Sequence, residues 1–125
     1  VSFTDWLIKK VNSNDNFQLF NDVIFNPLHI LDLNDFIYFS CLNFRDGCFN
    51  VGSLKYISKA DFALSFLKKL NYSINNIKIC SIKESKLLAR RPLDMSMNLQ
   101  NLKKNFKWEI PDINTTIEKC IEEYK

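Results

Sequence analysis

Gly47-Cys48-Phe49-Asn50-Val51-Gly52-Ser53 leads, after four intervening residues, into Ser58-Lys59-Ala60-Asp61-Phe62-Ala63, and these two stretches decide the fold class. Arg45-Asp46-Gly47 has the composition of a turn, and Cys48 to Val51 reads as a short buried strand ending at Gly52. Ser58 with Asp61 three residues on has the form of a capping box, with Asp where Glu is usual. The helix it opens carries Phe62, Ala63, Phe66, Leu67 and Leu70 on one stripe. A strand followed this closely by an amphipathic helix means a mixed, α+β architecture.

The pattern continues on both sides. Upstream, Phe3, Trp6, Leu7 and Val11 fall at helical spacing, and the polar run Asn12 to Asn16 ends that helix. Phe17 to Phe20 reads as a strand, and Val23 to Ile30 as a second extended segment interrupted at Asn26-Pro27. Asp32 is placed to cap a helix whose apolar face is Leu33, Phe36, Ile37, Ser40 and Cys41. Downstream, Ile77, Ile79 and Ser81 alternate with Lys78, Cys80 and Ile82 in another strand. Leu99, Leu102 and Phe106 mark a short helix. Asp112 opens a last one bearing Ile113, Ile117, Cys120, Ile121 and Tyr124. No repeat, linker or low-complexity tract interrupts residues 1–125, so they read as one unit.

Composition narrows the function. The chain has 125 residues, 46% hydrophobic and 25% charged, which is globular. Two glycines, Gly47 and Gly52, are too few for a G-x-G-x-x-G fingerprint or a Walker loop. A net charge of +3 argues for neither nucleic acid nor a membrane surface, and the apolar runs are too short to span a bilayer. The cysteines, Cys41, Cys48, Cys80 and Cys120, have no metal-ligand spacing, and His29 is the one histidine, so no metal site is expected. Reduced thiols in the cytoplasm fit that usage. Valine at position 1, with no obvious catalytic set, reads as a piece of a longer protein.

The chemistry-bearing residues are sparse. His29 precedes the Asp32 cap and reads as a half-buried histidine hydrogen-bonded near it. Most carboxylates fall at turns and helix starts, where capping accounts for them. The concentrated signal is Lys83, Lys86, Arg90 and Arg91, ending at Pro92. An arginine fork matches two oxygens of a phosphate or carboxylate, so Arg-Pro here suits an anion clamp. A solvated basic loop has the same composition.

Taken in order, these segments resemble the extended short-chain dehydrogenases. Phe25 to Leu33 is similar to their His-Val-x-Asp-Leu region, and Gly47 to Ser53 to their G-x-[YF]-[NH]-[LV]-G-S strand. Ser58 to Ala63 is similar to the helix start that follows that strand. Arg91-Pro92-Leu93-Asp94-Met95-Ser96-Met97-Asn98 resembles the Arg-Pro-x-[DN]-x-x-[LM]-[DN] segment, and Leu102 through Phe106 to Pro111 the family's terminal motif. The nearest group is the dTDP-4-dehydrorhamnose reductases, resembled over nearly the whole chain.

That resemblance implies a fold, a partner and a site. Such enzymes hold NADP(H) in an N-terminal Rossmann half and transfer hydride through a Ser/Thr-Tyr-Lys set. Neither the fingerprint nor a Tyr-x-x-x-Lys stands in this chain. Residues 1–125 therefore resemble the substrate-binding half alone, binding a nucleotide sugar for dTDP-rhamnose biosynthesis, while NADP(H) belongs to the intact parent. The implied partners are the nucleotide sugar and the missing Rossmann half, with a homodimer compatible. The other reading is a non-catalytic binding or regulatory subunit of the same fold. Arg91 maps onto an arginine that meets the nucleotide diphosphate, with Arg90 beside it. Phe25 and Asn26 stand near the place where many relatives carry a further arginine. The candidate substrate-binding residues are Arg91, Arg90 and Asn26, with no catalytic or cofactor-binding residue expected.

Overall fold

Local sequence rules build the helices, and the helix that Ser58 opens organises what they pack into. In this computed structural model the described residues are 1–85, 89 and 91–125; Arg90 and Lys86, both singled out from sequence, lie outside them. Helix α1 (Phe3–Asn12) opens with a full capping box: Ser2 Oγ accepts from the Asp5 amide, and Asp5 accepts from the Ser2 amide. Strand β1 (Phe17–Phe20) follows, then β2 (Ile24–Phe25), α2 (Ile30–Leu42), β3 (Ile57–Ser58) and α3 (Lys59–Lys69). The chain continues through β4 (Ile77–Cys80), a 3₁₀ turn (Ile82–Glu84), β5 (Asp94–Met95), α4 (Gln100–Asn105) and α5 (Ile113–Glu122).

Two small sheets result. β1 and β4 pair in parallel, Phe17 opposite Ile77 and Phe20 opposite Cys80. β2 is the centre of the other sheet, antiparallel to β3 and parallel to β5. Both are too small to stand alone and depend on the helices against them. Helix α3 lies in the larger core, where Phe62, Ala63, Phe66 and Leu67 are buried against Leu7 of α1, Phe17 and Leu19 of β1, and Ile117 and Ile121 of α5. A second core gathers Phe36, Leu99, Leu102 and Phe106, with Phe49 and Trp108 packed on it. The fold is α+β, as the sequence reading has it.

Four expectations need correction. Cys48 to Val51 is not a strand, because no neighbour pairs with it. Side chains hold it instead: Asn101 donates to the Cys48 carbonyl, and Asn50 to that of Asn98. The Phe49 ring packs edge-on against Phe106, 5.0 Å between centroids. The cap of α2 is His29, not Asp32, and the extended segment after Val23 is a strand only over Ile24–Phe25. The inward face of α2 is also turned: Phe36 is buried and Phe39 packs behind it, while Ile37 and Cys41 face out. Aromatic packing of Phe36 and Phe39 against Phe106 sets that rotation.

Candidate functional site

Backbone hydrogen bonds bring the Arg-Pro segment to the aromatic start of the chain. The Ile24 amide donates to the Leu93 carbonyl, and the β2–β5 register places Phe25 opposite Met95. Across β2, the Lys59 amide donates to the Val23 carbonyl and fixes the first turn of α3 there. Ser58 caps that turn, its hydroxyl accepting from the Asp61 amide and donating to the Asp61 carboxylate. Asp22 fastens the adjoining wall, accepting from Ser81 Oγ at 2.5 Å and from the Ile82 amide at 2.9 Å. The Ser81 hydroxyl, then the Ile82 amide, hold the Asp22 carboxyl below its ordinary range.

The enclosed cleft has a volume of about 600 Å³. Phe3, Trp6, Phe20, Val23 and Met95 give it apolar walls, and among the described residues Lys59 and Arg91 are the charged ones on its lining. Phe3 and Trp6 stack with centroids 6.0 Å apart. Arg91 and Pro92 also line a neighbouring cleft of about 340 Å³ that Lys83 borders. No carboxylate lines either space among the described residues. Such a cleft attracts anions and offers flat rings to whatever the anion carries.

The site residues named from sequence do not converge. Arg91 is exposed on the cleft, as a clamp requires, while Arg90 falls outside the described residues. Asn26 lines a different cleft, with Leu54, Tyr56 and Met97. Its amide is buried and committed to backbone: Nδ2 donates to the Ser53 carbonyl at 3.0 Å, and Oδ1 accepts from the Met97 amide at 2.7 Å. Asn26 therefore ties β2 to the Gly52-Ser53 loop and to the segment after β5, and does not share a cavity with Arg91. Lys59, Phe3 and Trp6 were missed as site residues. Their helical patterning accounts for them as cap and core, and only tertiary packing brings them to Arg91.

The remaining titratable groups have structural partners. His29 is buried, its Nδ1 accepting from the Leu31 amide. Nε2 then carries the hydrogen and donates to Glu123, 2.9 Å away. The four cysteines are unbridged, and burial, helped by Glu123 and Asp32, pushes the Cys120 thiol up to about 11, so it is no nucleophile at neutral pH. Among the described residues no three His, Cys, Asp or Glu side chains gather as metal ligands. Nor is any described helix long and apolar enough to cross a membrane. At the helix starts, Ser2, Ser58 and Asp112 each accept a hydrogen bond from the third amide of α1, α3 and α5.

Comparison with known proteins bears on the fold and the family. No curated protein matches the chain. Among solved structures it is similar to a dTDP-4-dehydrorhamnose reductase from Bacillus anthracis in complex with NADP, at TM-score 0.88 and 21% identity over 98% of this chain and 43% of that one. A dTDP-4-dehydrorhamnose reductase from Yersinia enterocolitica gives TM-score 0.82 and 17% identity over 99% of this chain and 44% of its own. A dTDP-glucose 4,6-dehydratase from B. anthracis, solved with NAD, gives 0.76 and 13% over 98% and 39%. The chain thus spans less than half the length of each. Residues 1–125 match the family model of the RmlD substrate binding domain, and the chain belongs to that family.

Proposed function

We propose that this chain is the part of an NADP-dependent sugar-nucleotide reductase that holds the nucleotide sugar, acting in dTDP-rhamnose biosynthesis. The observation that carries the reading is the Arg91 cleft, cationic and walled by aromatic rings, in a chain of the RmlD substrate binding family. A guanidinium meets two phosphate oxygens at once, and the flat faces of Phe3 and Trp6 suit a base or a sugar ring. The chain's own task is to bind and orient; the hydride donor comes with a Rossmann half, in the cytoplasm.

The β1–β4 pair supports such a partner. Parallel strands are normally covered on both faces and continued by further strands. Here α3 packs over β1, yet Ile79 of β4 is left 45% exposed. A parallel sheet belonging to a cofactor half would meet this uncovered region.

Calorimetric titration of the 125-residue chain with thymidine diphosphate tests the reading. Arg91→Ala should weaken binding by about 1.5–3 kcal/mol, the range for hydrogen bonds to charged groups. Arg91→Lys should recover part of this, since an ammonium is a point charge. NADPH should bind the wild-type chain poorly. Equal affinities of wild type and Arg91→Ala for thymidine diphosphate would refute the clamp.

A further inference from the structure

Lys59 occupies a costly position for an ammonium group. Its Nζ lies 3.6 Å from the centre of the Phe25 ring and 4.6 Å from that of Phe3. It grows from the first residue of α3, the positive end of the helix dipole. No ion pair reaches it among the described residues; Asp61, the acid of the same turn, is engaged with Ser58. Burial pushes its pKa down, as expected for a charge taken from water without a counter-ion. The ring faces of Phe25 and Phe3 compensate on one side only. The same residue lines the cleft that Arg91 lines.

We propose that Lys59 is the second cation of the anion site, so that Lys59 and Arg91 together take the diphosphate of the nucleotide sugar. The inference rests on the reading of the Arg91 cleft as a nucleotide-sugar site and adds a residue to it. The Phe25 ring on β2 lies under the ammonium and offers no counter-charge to it. An ammonium has three N–H donors, and a phosphate oxygen is the acceptor they lack. Filling the site would supply the counter-ion that Lys59 lacks. A lysine kept only as a cation–π staple for Phe3 and Phe25 would instead matter to stability and not to affinity.

Trp6 lies in the cleft, so quenching of tryptophan fluorescence by thymidine diphosphate, and separately by pyrophosphate, reads binding directly. Lys59→Met keeps the stem over the rings and removes the charge. It should weaken binding of both probes about tenfold or more without lowering the melting temperature, and Lys59→Arg should retain most of the affinity. Lys59→Gln, also uncharged, should weaken binding as Met does and serves if Met disturbs the rings. Undiminished affinity in the uncharged variants alongside a weakened Arg91→Ala would overturn the role of Lys59 and leave the cleft reading standing. Failure of the wild-type chain to bind either probe would overturn both. A lower melting temperature with unchanged affinity would return Lys59 to the staple.

Discussion

Replacing Lys119 by Met should destabilise the fold by about 2–3 kcal/mol, and the cost should all but vanish once Asp32 is neutral. Asp32, in the first turn of α2, is 4% exposed, and its Oδ1 pairs with Lys119 of α5. Its Oδ2 is buried with no partner among the described residues. Removing the lysine therefore strands a buried carboxylate, which costs about 3–5 kcal/mol where no water reaches it. The Lys119 side chain is 38% exposed, so solvent can partly take its place, and the lower figure follows. In an Asp32→Asn background there is no charge to strand, and Lys119→Met should cost under about 1 kcal/mol. Urea unfolding of the four chains of the cycle, followed by circular dichroism, measures the coupling directly. Equal costs of Lys119→Met in both backgrounds would show that α2 and α5 are held by packing alone. The reasoning about the buried carboxylate would then be wrong.

Two further expectations concern acid and a glycine. Asp22 titrates below its ordinary range in the fold because it accepts from Ser81 and the Ile82 amide. A depressed carboxyl contributes stability above its unfolded pKa and loses it as pH falls through the folded value, so the contribution disappears below about pH 4. Thermal melts on acidification should show that loss, and Asp22→Asn should flatten it; parallel curves for the two chains would remove Asp22 from the account. At Gly52 an added Cβ would sit 2.8 Å from Met97 Cε, which can move, and 2.9 Å from Asn26 Cβ, which is anchored. Gly52→Ala should therefore cost about 1–3 kcal/mol in urea unfolding. Shortening Met97 should not rescue it, and full rescue would place the obstruction at Met97.

What can be read along the chain is what neighbouring residues decide among themselves. Helices α1, α3 and α5 follow from apolar spacing, and α3 and α5 also from the caps at Ser58 and Asp112, whose hydrogen bonds reach three residues ahead. Strand β1 follows from the short segment Phe17 to Phe20 after a polar break, and β4 from the alternation of Ile77 and Ile79 with Lys78 and Cys80. Arg91 was singled out because its neighbour is proline and its loop is basic, and it lines the aromatic cleft. Interactions between distant residues were not legible, because periodicity gives an apolar face and leaves its partner open. Asp32 has the composition of a cap, yet it pairs with Lys119, 87 residues away, while His29 takes the cap and meets Glu123, 94 residues away. Cys48 to Val51 has strand residues and no strand beside it, so its backbone goes to asparagine side chains. Asn26 and Arg91 are both polar residues near prolines, but β2 turns one toward Ser53 and Met97 while the β2–β5 pairing sets the other at the aromatic cleft. Lys59 lies 34 residues from Phe25 in sequence, and the antiparallel pairing of β2 with β3 carries its ammonium over that ring. The tertiary structure thus decides which charges face the cleft, because strand register and helix packing act across sequence separations that local patterns do not reach.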